Sequence, residues 1–300
     1  MESMVLLLTF IFCFAYLIQY YVYPTIIFSG AKDKDLFEDG LRIRLAGQGL
    51  SSLAYFYALT NLLKGEKKII NIILLLSSFS VIFLMGFRTM SLFIIFLTLI
   101  TFIKFKGFNL KLLFYSIATI AVLSLVSQNK VVSDKLDSMS ERQKTENLGN
   151  SDYIRITQFT YFTQNHFKNI GEYIIGSGVP VMGVESSAYG RKMQKLQREG
   201  INWVDWGLMS LSWIIGIPAV LVMIFYSFKI ILLKLPLNYF YIKIWFVYLL
   251  VSSFTTMEFY RPGNFIVQAI LIFIAEKVHK QYKNNKYTNP SLTKMIPLSK

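Results

Sequence analysis

Asn202-Trp203-Val204-Asp205-Trp206-Gly207-Leu208-Met209-Ser210-Leu211-Ser212-Trp213-Ile214-Ile215-Gly216-Ile217 is the junction on which the fold turns. Behind it lies the polar segment Ser127–Trp206, the only long interruption in a chain otherwise made of apolar runs. Ahead of it the apolar pattern resumes and continues to residue 228. Hydrophobic residues make up 54% of the 300, and 16% are aromatic. That much apolar surface predicts an all-α polytopic membrane protein. A bilayer core of about 30 Å needs roughly 20 apolar residues per crossing. By that measure spans are expected near 4–28, 45–63, 69–86, 89–103, 110–127, 206–228, 241–257 and 264–280.

These eight transmembrane helices divide the chain into spans 1–5 (1–127), one large helical extracytoplasmic loop (128–205), spans 6–8 (206–280) and a basic cytoplasmic tail (281–300). The stretch Met1–Ile27 is too long and too aromatic for a cleaved signal, so it is expected to stay as a span. Lysines crowd the connections 64–68, 104–111 and 229–243 and the tail, which puts those segments and both termini on the cytoplasmic side. The expected location is a bacterial cytoplasmic (inner) membrane, crossed several times, with the site on its extracytoplasmic face. The formal charge of +14 is read as loop lysines against anionic membrane lipid rather than as a nucleic-acid surface. Cys13 is the only cysteine, which excludes intramolecular disulfides and thiolate metal clusters.

The cations are sorted by type. The cytoplasmic set holds 15 lysines and no arginine, whereas all eight arginines (Arg42, Arg44, Arg88, Arg142, Arg155, Arg191, Arg198 and Arg261) fall on the opposite side with the other eight lysines. Guanidinium presents a planar fork that grips phosphate or carboxylate in a bidentate manner. Two readings stand: an anionic ligand bound there, or a lysine-rich background with structural arginines paired to Asp or Glu. Arg88, in the short turn Gly86-Phe87-Arg88-Thr89, is either a ligand group at a span mouth or an interface anchor. Of Arg42 and Arg44, two residues apart, one is expected to bind ligand while the other pairs with Glu38 or Asp39.

Within the polar segment, residues 127–150 read as a connector. Ser151-Asp152 opens a helix on which Arg155, Phe159 and Phe162 share a face, ending near Asn165–Asn169. His166 at that end reads as a solvated or helix-end residue. Gly176-Ser177-Gly178 either cradles a phosphate with its backbone N–H groups or packs tightly against a span. Ser187–Gly200 places Tyr189, Met193 and Leu196 at i, i+4 and i+7 among Arg191, Lys192, Lys195 and Arg198. That is a basic amphipathic helix suited to the outer leaflet, which either holds an anionic lipid headgroup or rests on one. Asp205, between Trp203 and Trp206, is either a partly desolvated general base or the N-cap of the sixth span.

Taken in order, these features resemble the O-antigen polymerase and O-antigen ligase superfamily of bacterial surface polysaccharide. The resemblance rests on the multi-span pattern with one dominant loop, on Arg88-Thr89 opening an apolar run, and on Arg155 followed by Gly176-Ser177-Gly178. Its fourth element is Asp205-Trp206-Gly207 running on to Ile215-Gly216-Ile217. It covers roughly residues 40–280. It implies a metal-independent glycosyltransferase that polymerises repeat units of lipopolysaccharide O-antigen or capsule. The donor would be a glycan on polyprenyl (undecaprenyl) diphosphate and the acceptor a sugar hydroxyl. Carried over, Arg88 and Arg155 bind the donor diphosphate, with Arg42, Arg44 and Arg191 as further candidates. Asp205 takes the catalytic position, where aspartate rather than histidine favours the polymerase branch. Arg155 and Asp205 would act with groups from separate span mouths. No cofactor and no metal is expected, since neither a Walker lysine motif nor a His-Glu pair at metal spacing is present. Expected partners are the lipid-linked oligosaccharide, membrane lipid, a flippase and a chain-length regulator. The competing functions are a flippase or transporter of lipid-linked oligosaccharide, and a non-catalytic subunit of a polysaccharide assembly complex.

Overall fold

Residues Gly49–Lys64 form a helix because Leu53, Ala54, Ala58, Leu59 and Leu63 recur at helical spacing with no proline between them. Twelve of its 16 residues are buried, so it is wrapped on nearly all sides. In the computed structural model the described residues are 2–23, 25–28, 45, 47, 49–66, 68–85, 88–107, 151–181, 187–254, 256–261, 263–288 and 298–299. The chain divides into two compact units. One comprises Met1–Ser140, Phe228–Leu249 and Arg261–Lys300; the other comprises Glu141–Ser227 and Leu250–Tyr260.

In the first unit α1 (Glu2–Val22), α2 (Gly49–Lys64), α3 (Lys68–Leu84) and α4 (Arg88–Lys106) follow in order. The end of α1 is closed by Gln19, whose Nε2 donates to the Thr25 carbonyl while Oε1 accepts from Ile27 and Phe28 N–H. Tyr55 on α2 meets Thr98 on α4 at 2.8 Å, and Trp245 Nε1 donates to Ser52 Oγ at 3.0 Å. Phe56 and Tyr57 pack on Tyr248 and Tyr241 at 5.8 and 5.2 Å. At the start of α2, Gly49 packs directly on the Asn264 side chain: an added Cβ would lie 1.6 Å from its Oδ1 and force that side chain to move. Asn264 opens the helix Asn264–Thr288, whose Glu276 pairs with Lys229 at 2.8 Å. Leu235–Pro236 and Leu298–Ser299 form a two-residue antiparallel pair, β1 with β2. Apolar side chains also stand outward, among them Leu7, Ile11, Phe14 and Ile18 along α1 and Leu92, Phe96, Leu99 and Ile103 along α4.

In the second unit α5 (Ser151–Thr160) runs into a π-helical turn (Tyr161–Asn165), then α6 (Ile170–Ile175) and α7 (Ala188–Arg198). A 3-10 turn (Trp203–Trp206) leads into α8 (Gly207–Ile215) and α9 (Ile217–Leu232), of which residues up to Ser227 belong to this unit. Then follow α10 (Phe240–Ser252), assigned to the first unit as far as Leu249, and α11 (Asn264–Thr288), wholly of the first unit.

The expectation of a polytopic membrane protein with eight spans is corrected. Among the described residues no helix is long and apolar enough to cross a membrane. The apolar runs are cut or diverted. The run 206–228 breaks at Gly216, whose φ of +91° ends α8 after nine residues. The run 241–257 gives a helix of 13 residues, about 20 Å long against a core of about 30 Å. The run 45–63 supplies the buried α2, and 264–280 continues through Glu276, Lys277, Lys280 and Lys283. The fifth expected span, 110–127, lies outside the described residues. The multi-pass inner-membrane location, with its assignment of sides, is corrected on the same finding.

Candidate functional site

The second unit gathers its chemistry around one aromatic cluster. Phe162, Met193, Leu196 and Trp213 are buried together, with Phe159, Tyr161, Tyr173, Tyr189, Trp203 and Trp206 packed against them. Phe162 stacks on Trp213 at 4.8 Å with planes 10° apart. Such offset pairs contribute about 0.5–1.5 kcal/mol beyond area burial. Phe159 lies 5.1 Å from Trp206, tying α5 to the 3-10 turn, and Trp203 stacks on Tyr260 at 5.8 Å. Gln158 Nε2 donates to the Gly200 carbonyl at 2.7 Å.

His166 sits against this cluster and is only 8% exposed. Its Nε2 is 3.3 Å from Tyr189 Oη, and Tyr189 Oη is 2.6 Å from Ser177 Oγ. The Ser177 hydroxyl is in turn 3.0 Å from the Trp213 carbonyl. Only one proton arrangement satisfies all three contacts. Ser177 donates to the carbonyl, Tyr189 donates to Ser177, and His166 donates from Nε2 to Tyr189. That leaves Nδ1 as a lone pair, and it is buried without a partner among the described residues. Burial pushes the imidazole down to about 4, Lys192 adds to the effect, and Glu172 opposes it. His166 is therefore a neutral, buried residue at the end of the π-helical turn, which corrects the solvated reading.

The Gly176-Ser177-Gly178 turn is a packing device. Gly176 N–H donates to the Glu172 carbonyl, Ser177 N–H to Trp213 and Gly178 N–H to Ile214, at 2.8, 2.8 and 2.9 Å. With those three donors spent, the turn has no backbone N–H left to cradle a phosphate. A Cβ on Gly176 would lie 2.5 Å from Gly216 N, and one on Gly216 would lie 2.4 Å from the Ile175 carbonyl. The two glycines interlock, and their φ values of +88° and +91° favour glycine independently.

Helix α7 begins at Ser187, whose Oγ accepts from Gly190 N–H at 2.9 Å. Met193 and Leu196 turn into the cluster, at 1% and 8% exposure. The apolar side of this amphipathic helix is thus consumed by its own unit. The expectation that it lies face-down on a leaflet is corrected. Arg191, Lys192, Lys195 and Arg198 remain exposed, with Lys192 Nζ 5.9 Å from the centre of the Tyr161 ring.

The expected site residues fall as follows. Arg155 lies on α5 and Asp205 in the 3-10 turn; their side chains are outside what the structure describes. The N-cap position of α8 is taken by Trp206, without a side-chain capping bond, so Asp205 is not its cap. Arg191 is exposed on α7 of the same unit. Arg88 opens α4 in the other unit, while Arg42 and Arg44 lie outside the described residues. Among the described residues no group of three His, Cys, Asp or Glu side chains is placed to hold a metal ion. The linked trio His166, Tyr189 and Ser177 was invisible to sequence reasoning, because Tyr189 scored as one more apolar position and Ser177 as turn filler. Comparison with known proteins finds no match, whether to a family model, to a curated protein or to a solved structure.

Proposed function

We propose that the chain is a metal-independent glycosyltransferase that lengthens a glycan carried on polyprenyl diphosphate, in the manner of an oligosaccharide repeat-unit polymerase. The observation that supports this reading is the Phe159–Trp206 contact. It sets the helix bearing Arg155 beside the turn bearing Asp205 within one unit, two elements that the resemblance assigns to donor binding and to catalysis. The Gly176–Gly216 interlock joins two further elements of the same pattern.

The chemistry asks for two groups. The acceptor hydroxyl forms a bond to the anomeric carbon as the bond from that carbon to the phosphate oxygen breaks. The hydroxyl proton goes to Asp205, and the charge left on the departing polyprenyl diphosphate is met by Arg155, with Arg191 as a second cation. An arginine fork offers paired N–H donors to a diphosphate and keeps its charge throughout, so no metal is required for neutralisation.

Purified protein supplied with polyprenyl-diphosphate oligosaccharide, without nucleotide sugar or divalent cation, should convert it to longer lipid-linked chains resolved by mass spectrometry. Absence of chain growth by the wild-type protein under these conditions overturns the reading.

A further inference from the structure

The cations of α7 are held in a fixed array. At about 100° per residue, Arg191, Lys195 and Arg198 fall within a sector of about 60°, and Lys192 sits on its flank. The opposite side, centred on Tyr189, Met193 and Leu196, is fixed in three ways. Met193 and Leu196 are buried, and Tyr189 Oη is hydrogen-bonded to Ser177. Gly190 approaches so closely that a Cβ would lie 1.8 Å from the Val181 carbonyl. The helix therefore cannot roll to present another face. Between residues 188 and 198 there is no acidic side chain. Glu199 just beyond the helix lies 3.9 Å from Lys195 in an exposed pair, which is worth little in water. Lys192, Lys195 and Arg198, together with Arg191, thus stand exposed along about 10 Å of a rigid helix.

We infer that this face of α7 binds a polyanionic glycan, one bearing carboxylate or phosphate groups along its length. The inference rests on the glycan-transfer reading and adds a substrate class to it: the chain being lengthened is acidic. Charge complementarity supplies the attraction, and the arginine forks suit carboxylate and phosphate. A bilayer is a poorer fit, because the apolar residues that would insert into it are already consumed inside the unit.

The test measures binding of the full chain, without turnover, to polygalacturonate, to neutral dextran, to vesicles of phosphatidylglycerol and phosphatidylcholine, and to duplex DNA at equal charge concentration. Polygalacturonate should bind best and dextran not at all, with affinity falling between about 50 mM and about 300 mM salt. Lys195→Glu/Arg198→Glu should weaken polygalacturonate binding about tenfold, and Lys195→Gln/Arg198→Gln should weaken it less. Unchanged affinity in both variants, or preference for vesicles or DNA, overturns the inference. Binding and chain growth are read separately: growth without acidic-glycan binding removes only this inference. Binding without growth removes the enzymatic reading and, with it, the claim that the bound glycan is the chain being lengthened.

Discussion

His166 carries a proton-sensitive contribution to the stability of the second unit. Its imidazole is pushed down to about 4 from an ordinary 6.5, chiefly by burial, so the unfolded chain binds more protons than the folded one between those values. Stability therefore rises with pH across that window and is lost as pH falls through it towards 4. His166→Gln keeps a donor for Tyr189 but does not titrate. Melting temperatures of the wild type should drop between about pH 6.5 and pH 4, and the variant should lack that component of the drop. Parallel curves for both proteins would remove His166 from the account. This residue also marks the limit of reading from sequence. Histidines at helix ends are mostly wet, and burial of this one depends on Tyr189 and Ser177, 23 and 11 positions away. The tryptophans that flank Asp205 both pack on aromatic rings of the second unit.

At the scale of elements, the glycine interlock decides how α6 meets α8. Gly176 and Gly178 have nearly the same φ, +88° and +84°, yet a Cβ at 176 meets backbone at 2.5–2.8 Å while one at 178 meets nothing within 4 Å. Gly178→Ala should then cost only its backbone conformation, about 1–2 kcal/mol. Gly176→Ala adds a clash with immovable backbone and should cost about 3 kcal/mol or more. Denaturation followed by tryptophan fluorescence checks this, since Trp203, Trp206 and Trp213 all belong to the second unit. Equal costs would contradict the interlock. The sequence offered phosphate cradle and tight packing as equal alternatives for this turn. What separates them is which carbonyls face the N–H groups, a tertiary fact with no sequence signature. Helices themselves were easier to read. Residues 69–86 and 89–103 were expected as apolar helices, and Lys68–Leu84 and Arg88–Lys106 are helical. Periodicity and the absence of proline dictate that much.

For the whole molecule, apolar content was a poor guide to architecture. It was read as eight crossings, but a crossing needs an uninterrupted run, and hydropathy windows do not register where a helix stops. Gly216 divides one run into helices of 9 and 16 residues, and α2 spends its apolar residues inside its own unit. The second unit, Glu141–Ser227 with Leu250–Tyr260, likewise joins the end of the polar segment to residues that had been placed in the sixth and seventh spans. That union is what brings the turn of Asp205 and the helix of Arg155 into one unit, whereas Arg88 belongs to the other. The site proposed above accordingly draws on α5, α7 and the 3-10 turn.

The most direct measurement is the rate of glycan transfer from the polyprenyl-diphosphate donor by the wild type, Arg155→Ala, Asp205→Asn and the double variant. Asp205→Asn should slow transfer about 10²–10⁴-fold and Arg155→Ala about 10²–10³-fold. The double variant should be little slower than the worse single one, because groups serving one transition state are not additive. Transfer at the wild-type rate in either single variant would contradict the shared site.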